Sequence, residues 1–132
     1  MKYTLDAENK GVGRVATQAA ALLLGKNRTD FAKNKIPDVT VEIKNTGKAK
    51  IDPKKMKQKT YSQYSGYPGG LKQPTMKKTI EKKGYSEVFR KAILGMLPKN
   101  KLRASRAKKL RVYLDDKGLA RHAGQKPQPL AV

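Results

Sequence analysis

Three stretches of this sequence hold residues whose type and spacing suit chemistry, and all three point at anions. Gly11-Val12-Gly13-Arg14-Val15-Ala16 has the dinucleotide-binding spacing G-x-G-x-x-G/A, between an expected strand and an expected helix. Such a turn offers a phosphate the N–H groups that open a helix, with Arg14 beside them. Ser65-Gly66-Tyr67-Pro68-Gly69-Gly70-Leu71-Lys72 sets three glycines within five positions. Without Cβ atoms, backbone amides can approach an anion closely, and Pro68 stiffens the loop so that less order is gained on binding. Tyr61, Tyr64 and Tyr67 are placed to stack on unpaired bases, although Tyr61 suits packing on a sheet better. Lys99 through Arg111 carries seven cations and no acid. At that density like charges repel along a helix, so a phosphate backbone is the better explanation than a solvated face. Arginine adds a bidentate grip that lysine lacks.

Other chemistry is poorly supplied. The chain has no cysteine and one histidine, His122, which excludes a disulfide framework, a thiolate zinc site and a His-rich metal site. One histidine in a stretch without periodicity builds no Ser/His/Asp arrangement. The carboxylates are scattered, and Asp115-Asp116 falls in a turn signal. The dinucleotide reading meets two objections. There is one strand–helix–strand unit where a dinucleotide needs two mononucleotide halves, and Asp38, the nearest acid, precedes the second strand instead of ending it. No catalytic residue, metal or cofactor is expected.

The elements that must hold these stretches follow from periodicity. Tyr3-Thr4-Leu5-Asp6 reads as a short first strand. Val12, Val15, Ala16, Ala19, Ala20 and Leu23 recur at three- and four-residue spacing, so a helix opens at Val12 and stops at Gly25-Lys26. Val39-Thr40-Val41-Glu42-Ile43 alternates strictly and is the clearest strand. That order argues for a parallel sheet with a crossover helix. Lys44 to Lys59 is rich in lysine, and Lys59 to Tyr64 reads as a third strand running into a loop from Ser65 to Lys72. Thr75 caps a short helix to Lys83. Ser86 caps another, with Val88, Phe89, Ala92, Ile93, Met96 and Leu97 on one face and a stop at Pro98. Asn100 to Lys109 forms a third, very basic helix before a last strand at Leu110 to Leu114. The expected class is α/β: a small, mostly parallel sheet flanked by helices in three layers, with extended basic loops.

Composition sets the partner. Thirty-one lysines and arginines face ten carboxylates, a net charge of +21 over 132 residues. Such a surplus destabilises a compact state and is tolerated for a polyanion, bound largely through counterion release. It also argues against self-association into a homo-oligomer. The longest apolar run, Ala19 to Leu24, is far below the ~20 residues that span a bilayer, so no membrane partner is expected. Length fits one domain, taken as 1–118, followed by a Pro- and Gln-rich extended tail over 119–132.

At this point the residues resemble a known family, that of ribosomal protein L13 of the large subunit. The resemblance rests on Leu5-Asp6-Ala7, Gly13-Arg14-Val15-Ala16-Thr17, Ser65 to Lys72, Gly95-Met96-Leu97-Pro98-Lys99-Asn100-Lys101-Leu102, Leu110-Arg111-Val112-Tyr113 and His122 with Gln125-Lys126-Pro127. It implies an α/β/α protein of a cytoplasmic or organellar ribosome that binds large-subunit rRNA and sits among neighbouring large-subunit proteins. It further implies a structural and assembly role without enzymatic activity. Arg14, Lys26, Lys54, Lys55 and Lys57 are then expected on phosphates. Ser65, Gly66, Tyr67, Gly69, Gly70 and Lys72 are expected to make shape-specific contacts. Lys99, Asn100, Lys101, Arg103, Arg106, Lys108, Lys109 and Arg111 are expected along a phosphate backbone, with Gln125 and Lys126 threading beside RNA. About 8 neutralised phosphates would give a log affinity against log salt slope near −6 to −7. The competing expectations are a sequence-independent nucleic-acid compactor and a small nucleotide-dependent enzyme using Gly11 and Gly13.

Overall fold

The computed structural model describes residues 1–115; the expected tail, with His122, Gln125 and Lys126, lies outside the described residues. Strand β1 (Lys2–Asp6) leads through a loop to helix α1 (Val12–Leu24), then strand β2 (Thr40–Lys44) and a 3-10 turn at Thr46–Lys48. Helix α2 (Pro53–Gln58), strands β3 (Gln63–Tyr64) and β4 (Leu71–Lys72), and helices α3 (Met76–Lys83), α4 (Tyr85–Met96) and α5 (Leu102–Ala107) follow, closing with strand β5 (Leu110–Val112). The main sheet has the order β1-β2-β5 with both pairs parallel, as expected of an α/β protein whose strands are joined by helical crossovers.

The core explains this arrangement. Val12, Val15, Ala16, Ala19, Ala20 and Leu23 are the buried residues of α1, the positions its 3.6-residue period selects. Three of them are alanines, which lets α4 pack closely against α1 with Val88, Phe89 and Ile93 buried. Val41 and Ile43 of β2 and Leu110 of β5 join the same cluster. Alternation sends Thr4, Glu42 and Arg111, paired across the sheet, to its opposite face.

Four local expectations need correction. Lys59 to Tyr64 does not join the main sheet; β3 and β4 form a separate antiparallel pair, so part of the expected loop, Leu71–Lys72, is strand. Pairing continues down the stem through Tyr61 N–H to Pro74 C=O and Met76 N–H to Lys59 C=O, at 2.9 and 2.8 Å. The result is a hairpin arm projecting between α2 and α3, and local turn chemistry outweighed any sheet pairing. Ser86 does not cap α4. Gly84, at φ 83°, both ends α3 and precedes α4, so the second helix starts at Tyr85, two residues earlier than a Ser86 cap would place it. Helix α5 is shorter than expected, because the Asn100 side chain accepts the Leu102 N–H and β5 begins three residues after Ala107. Helix α2 was not anticipated, although Asp52 caps Lys54 N–H and Pro53 takes the first helical position.

Candidate nucleic-acid interface

The first basic site is built where β1 hands over to α1. Asp6 accepts the Glu8 N–H and the Asn45 side-chain amide, both at 3.0 Å, which ties the ends of β1 and β2 together. The Glu8 backbone hydrogen bond, helped by Asn45, holds the Asp6 carboxyl below its ordinary value of 3.8, against a smaller desolvation effect. From this knot the chain passes Lys10, whose carbonyl accepts the Lys50 N–H at 3.0 Å, and enters α1 at Gly11. The Arg14 and Val15 N–H groups turn back to the Gly11 carbonyl. No acid occupies the first turn and no side chain caps it, so the positive end of the helix dipole stays open. A Cβ built on Gly11 or Gly13 meets nothing within 4 Å. The glycine spacing here leaves a free approach to the helix start.

That approach is a groove of about 540 Å³ walled by Lys10, Arg14, Lys50 and Lys55, with Asp52 and Met76. The fold thus brings two expected residues, Arg14 and Lys55, to one place. It adds Lys10 and Lys50, which the sequence reading missed. Lys10 sits directly before the fingerprint and was legible; Lys50 arrives only through its bridge to Gly11. Lys54 and Lys57 are exposed on α2, beside this groove. Lys26 is not part of it. It follows α1 at the opposite end, about 18 Å from Arg14 along the helix axis. Nothing at this groove supports a dinucleotide: β2 ends in Lys44, and Asp38 precedes β2 and stands 3.6 Å from Lys109.

The second site is the tip of the hairpin arm. Pro68 and Gly69 are the central residues of a turn closed by Gly70 N–H to Tyr67 C=O at 3.0 Å. Gly69 has φ 72°, the left-handed value a type II turn demands there. Gly70 is held by sterics instead: a Cβ would strike the Ser65 hydroxyl and lie 2.9 Å from the Tyr67 carbonyl. The turn therefore presents Tyr67, 76% exposed, beyond a stem on which Tyr64 and Leu71 pair across the strands with 64% and 59% exposure. Exposed tyrosines on a stiff turn suit stacking with unpaired bases. Tyr61, in contrast, packs at the edge of the core with Lys91 Nζ 4.5 Å from its ring centre. Burial pushes its hydroxyl above the ordinary value of 10.0. It packs as its sequence context suggested, against α4 and the core edge instead of the sheet.

The third site, around α5, is thinner than its charge implies. Lys99, Lys101 and Lys108 are exposed and Arg103 is half-buried. Arg106, expected on a phosphate, is 1% exposed, with Nη2 donating to the Lys33 and Lys35 carbonyls at 3.3 Å each. Lys109 Nζ donates to the Pro37 carbonyl at 2.7 Å and faces Asp38. Arg111 lies 3.4 Å from buried Glu42, which Lys2 also approaches at 3.1 Å. Of these three cations only Arg106 is buried; Lys109 and Arg111 stay half-buried and are engaged because the 26–38 segment brings a carbonyl, and β2 a carboxylate, within their reach. Asn100 spends its side-chain oxygen on the Leu102 N–H.

Charges sort cleanly. Asp6, Glu8, Asp30, Asp38, Glu42 and Glu87 each stand within 4.0 Å of a lysine or arginine. Arg14, Lys26, Lys54, Lys55, Lys57, Lys72, Lys99, Lys101, Arg103 and Lys108 make no ion pair among the described residues. Six of the described carboxylates stand beside cations, while these ten cations make no ion pair among the described residues. No group of three or more potential metal ligands occurs among the described residues, and no described helix is long and apolar enough to cross a membrane.

Comparison with known proteins gives one consistent result. The family model for ribosomal protein L13 matches residues 1–118. A large ribosomal subunit protein uL13 from Citrifermentans bemidjiense is 42% identical over 130 residues, covering 98% of this chain and 89% of the relative. Proteins of the same name from Nitratidesulfovibrio vulgaris and a Synechococcus species are 41% and 40% identical, each over 97% of this chain and 87% and 83% of their own lengths.

Proposed function

The chain belongs to the ribosomal protein L13 family, a structural constituent of the large ribosomal subunit and not an enzyme, and we propose that it holds rRNA segments together at three basic sites. Its partners are rRNA and other ribosomal proteins, and its place is the ribosome. The observation that supports the contact assignment is the charge distribution: six carboxylates stand beside cations, while Arg14 and Lys55 at the α1 groove, Lys72 on the arm and Lys99, Lys101, Arg103 and Lys108 around α5 make no ion pair among the described residues. Arg14, Lys10, Lys50 and Lys55 take phosphate at the groove, where the helix dipole adds to their attraction. Ser65 to Lys72 reads shape, and Lys99, Lys101, Arg103 and Lys108 follow a backbone. The protein acts as a monomer within the particle and has no membrane partner.

Two measurements test this. Mass spectrometry of salt-washed large subunits from the source cells should find the protein at one copy per particle. Titration of large-subunit rRNA with purified protein should show log affinity falling with log salt at a slope of about −6, scaling by roughly 0.7–0.9 per phosphate contact. Replacing Lys99, Lys101, Arg103 and Lys108 with alanine should flatten that slope by about 3. A salt-independent affinity, or equal affinity for unrelated duplex DNA, defeats the assignment.

A further inference from the structure

Between α4 and α5, beside the third site and sharing Arg103 and Lys108 with it, lies a slot of about 320 Å³. Its surface is mostly carbon, with Leu94, Ala104 and Ala107 lining it. Arg103 and Lys108 line it as well, and neither makes an ion pair among the described residues. Asn100 stands at the same opening; its Oδ1 is committed to the Leu102 N–H, which leaves its amide NH2 to donate outward. The volume falls at the lower end of the roughly 300–1,000 Å³ of sites that enclose small flat ligands.

We propose that this slot receives one unpaired nucleotide of large-subunit rRNA, extruded from its helix, and so gives the protein a base-sized anchor in addition to its phosphate contacts. The inference rests on the rRNA reading above. A nucleotide is the one occupant that answers both halves of the slot. Its base is a flat apolar body that lies on Leu94, Ala104 and Ala107 and stacks on the Arg103 guanidinium plane. Its phosphate supplies the charge that Lys108 and Arg103 lack. The Asn100 amide then donates to an acceptor on the base edge. An apolar side chain from another protein would fill the carbon surface but leave both cations without a counter-charge.

The test uses Ala104→Phe in the full-length protein. Ala104 is exposed on α5, so the ring fills the slot without disturbing the core or the net charge. Thermal unfolding should be unchanged. Affinity for purified large-subunit rRNA should fall about tenfold, the size of losing one stacked base, and the salt slope should flatten by about 1 with the loss of that nucleotide's phosphate contact. Unchanged affinity overturns the slot. A wild-type protein that does not bind the rRNA in a salt-dependent way overturns the functional reading itself, and the slot with it. Electron cryomicroscopy of the intact large subunit gives an independent answer. A base seated between α4 and α5 supports the inference; a protein side chain there, from a neighbour or from residues 116–132, or an empty slot, overturns it. A purified protein that binds free AMP or UMP as tightly as it binds the rRNA also overturns it, in favour of a free-nucleotide site.

Discussion

The β3–β4 arm and the α5 segment both direct charge and apolar groups outward, yet they are built in opposite ways. The arm has almost nothing buried at its tip; its shape comes from hydrogen-bond register in the stem and a Pro68-Gly69 turn whose geometry is local. The α5 segment takes its shape from tertiary contacts. Arg106 reaches across to the Lys33 and Lys35 carbonyls, and Lys109 reaches Pro37. In the arm, each side chain's direction is set by its neighbours in sequence. Around α5, the same residue type serves structure at one position and the surface at the next. A run of like charges is therefore two populations, and only packing separates them.

Three substitutions break or sharpen this contrast. The largest effect should come from Arg106→Ala. It leaves the carbonyls of Lys33 and Lys35 without their buried donor and opens space beneath α5, so denaturant unfolding should show a loss of about 2–3 kcal/mol. The salt slope of rRNA binding should not change. A flattened slope with unaltered stability would show that Arg106 faces phosphate after all.

Gly70→Ala should do the reverse. The new Cβ strikes Ser65 and the Tyr67 carbonyl, so the turn must open. Because the tip buries little, global stability should stay within about 0.5 kcal/mol. Binding to rRNA should weaken by about tenfold through loss of a preformed shape. Equal binding would mean that the turn's shape contributes nothing to recognition.

The smallest effect belongs to Asp6, which sets the loop entering α1. Its folded-state carboxyl lies below the ordinary value of 3.8, so its contribution is complete above that pH and is lost as pH falls through the depressed folded value. Asp6→Asn should therefore be slightly less stable at neutral pH, with the difference shrinking below pH 3.8. A difference that grows in acid would reverse the sign assigned to this group.

Much of the fold was legible because local rules and packing agree. The six buried positions of α1 are those its period marked, Gly25 adopts φ 77° at the helix end, and Thr75 caps α3. The arm's tip was legible for the same reason, since Pro68-Gly69-Gly70 specifies a turn by itself. What misled was wherever a local signal had a competitor. Ser86 is a good cap, but the glycine two residues earlier already turns the chain. Lys59 to Tyr64 has strand character, but it pairs with its neighbour across the turn and not with the main sheet.

The sequence by itself determined the charge, the parallel α/β order, the glycine turn and the family, because each depends on composition or on neighbours a few residues apart. Tertiary structure alone decided which cations face outward. Lys50 joins Arg14 because a β-bridge carries it there, and buried Arg106 and half-buried Lys109 and Arg111 are engaged because acceptors more than sixty residues away come within 3.4 Å. A side chain's direction depends on what the fold brings near it, and no local pattern encodes that.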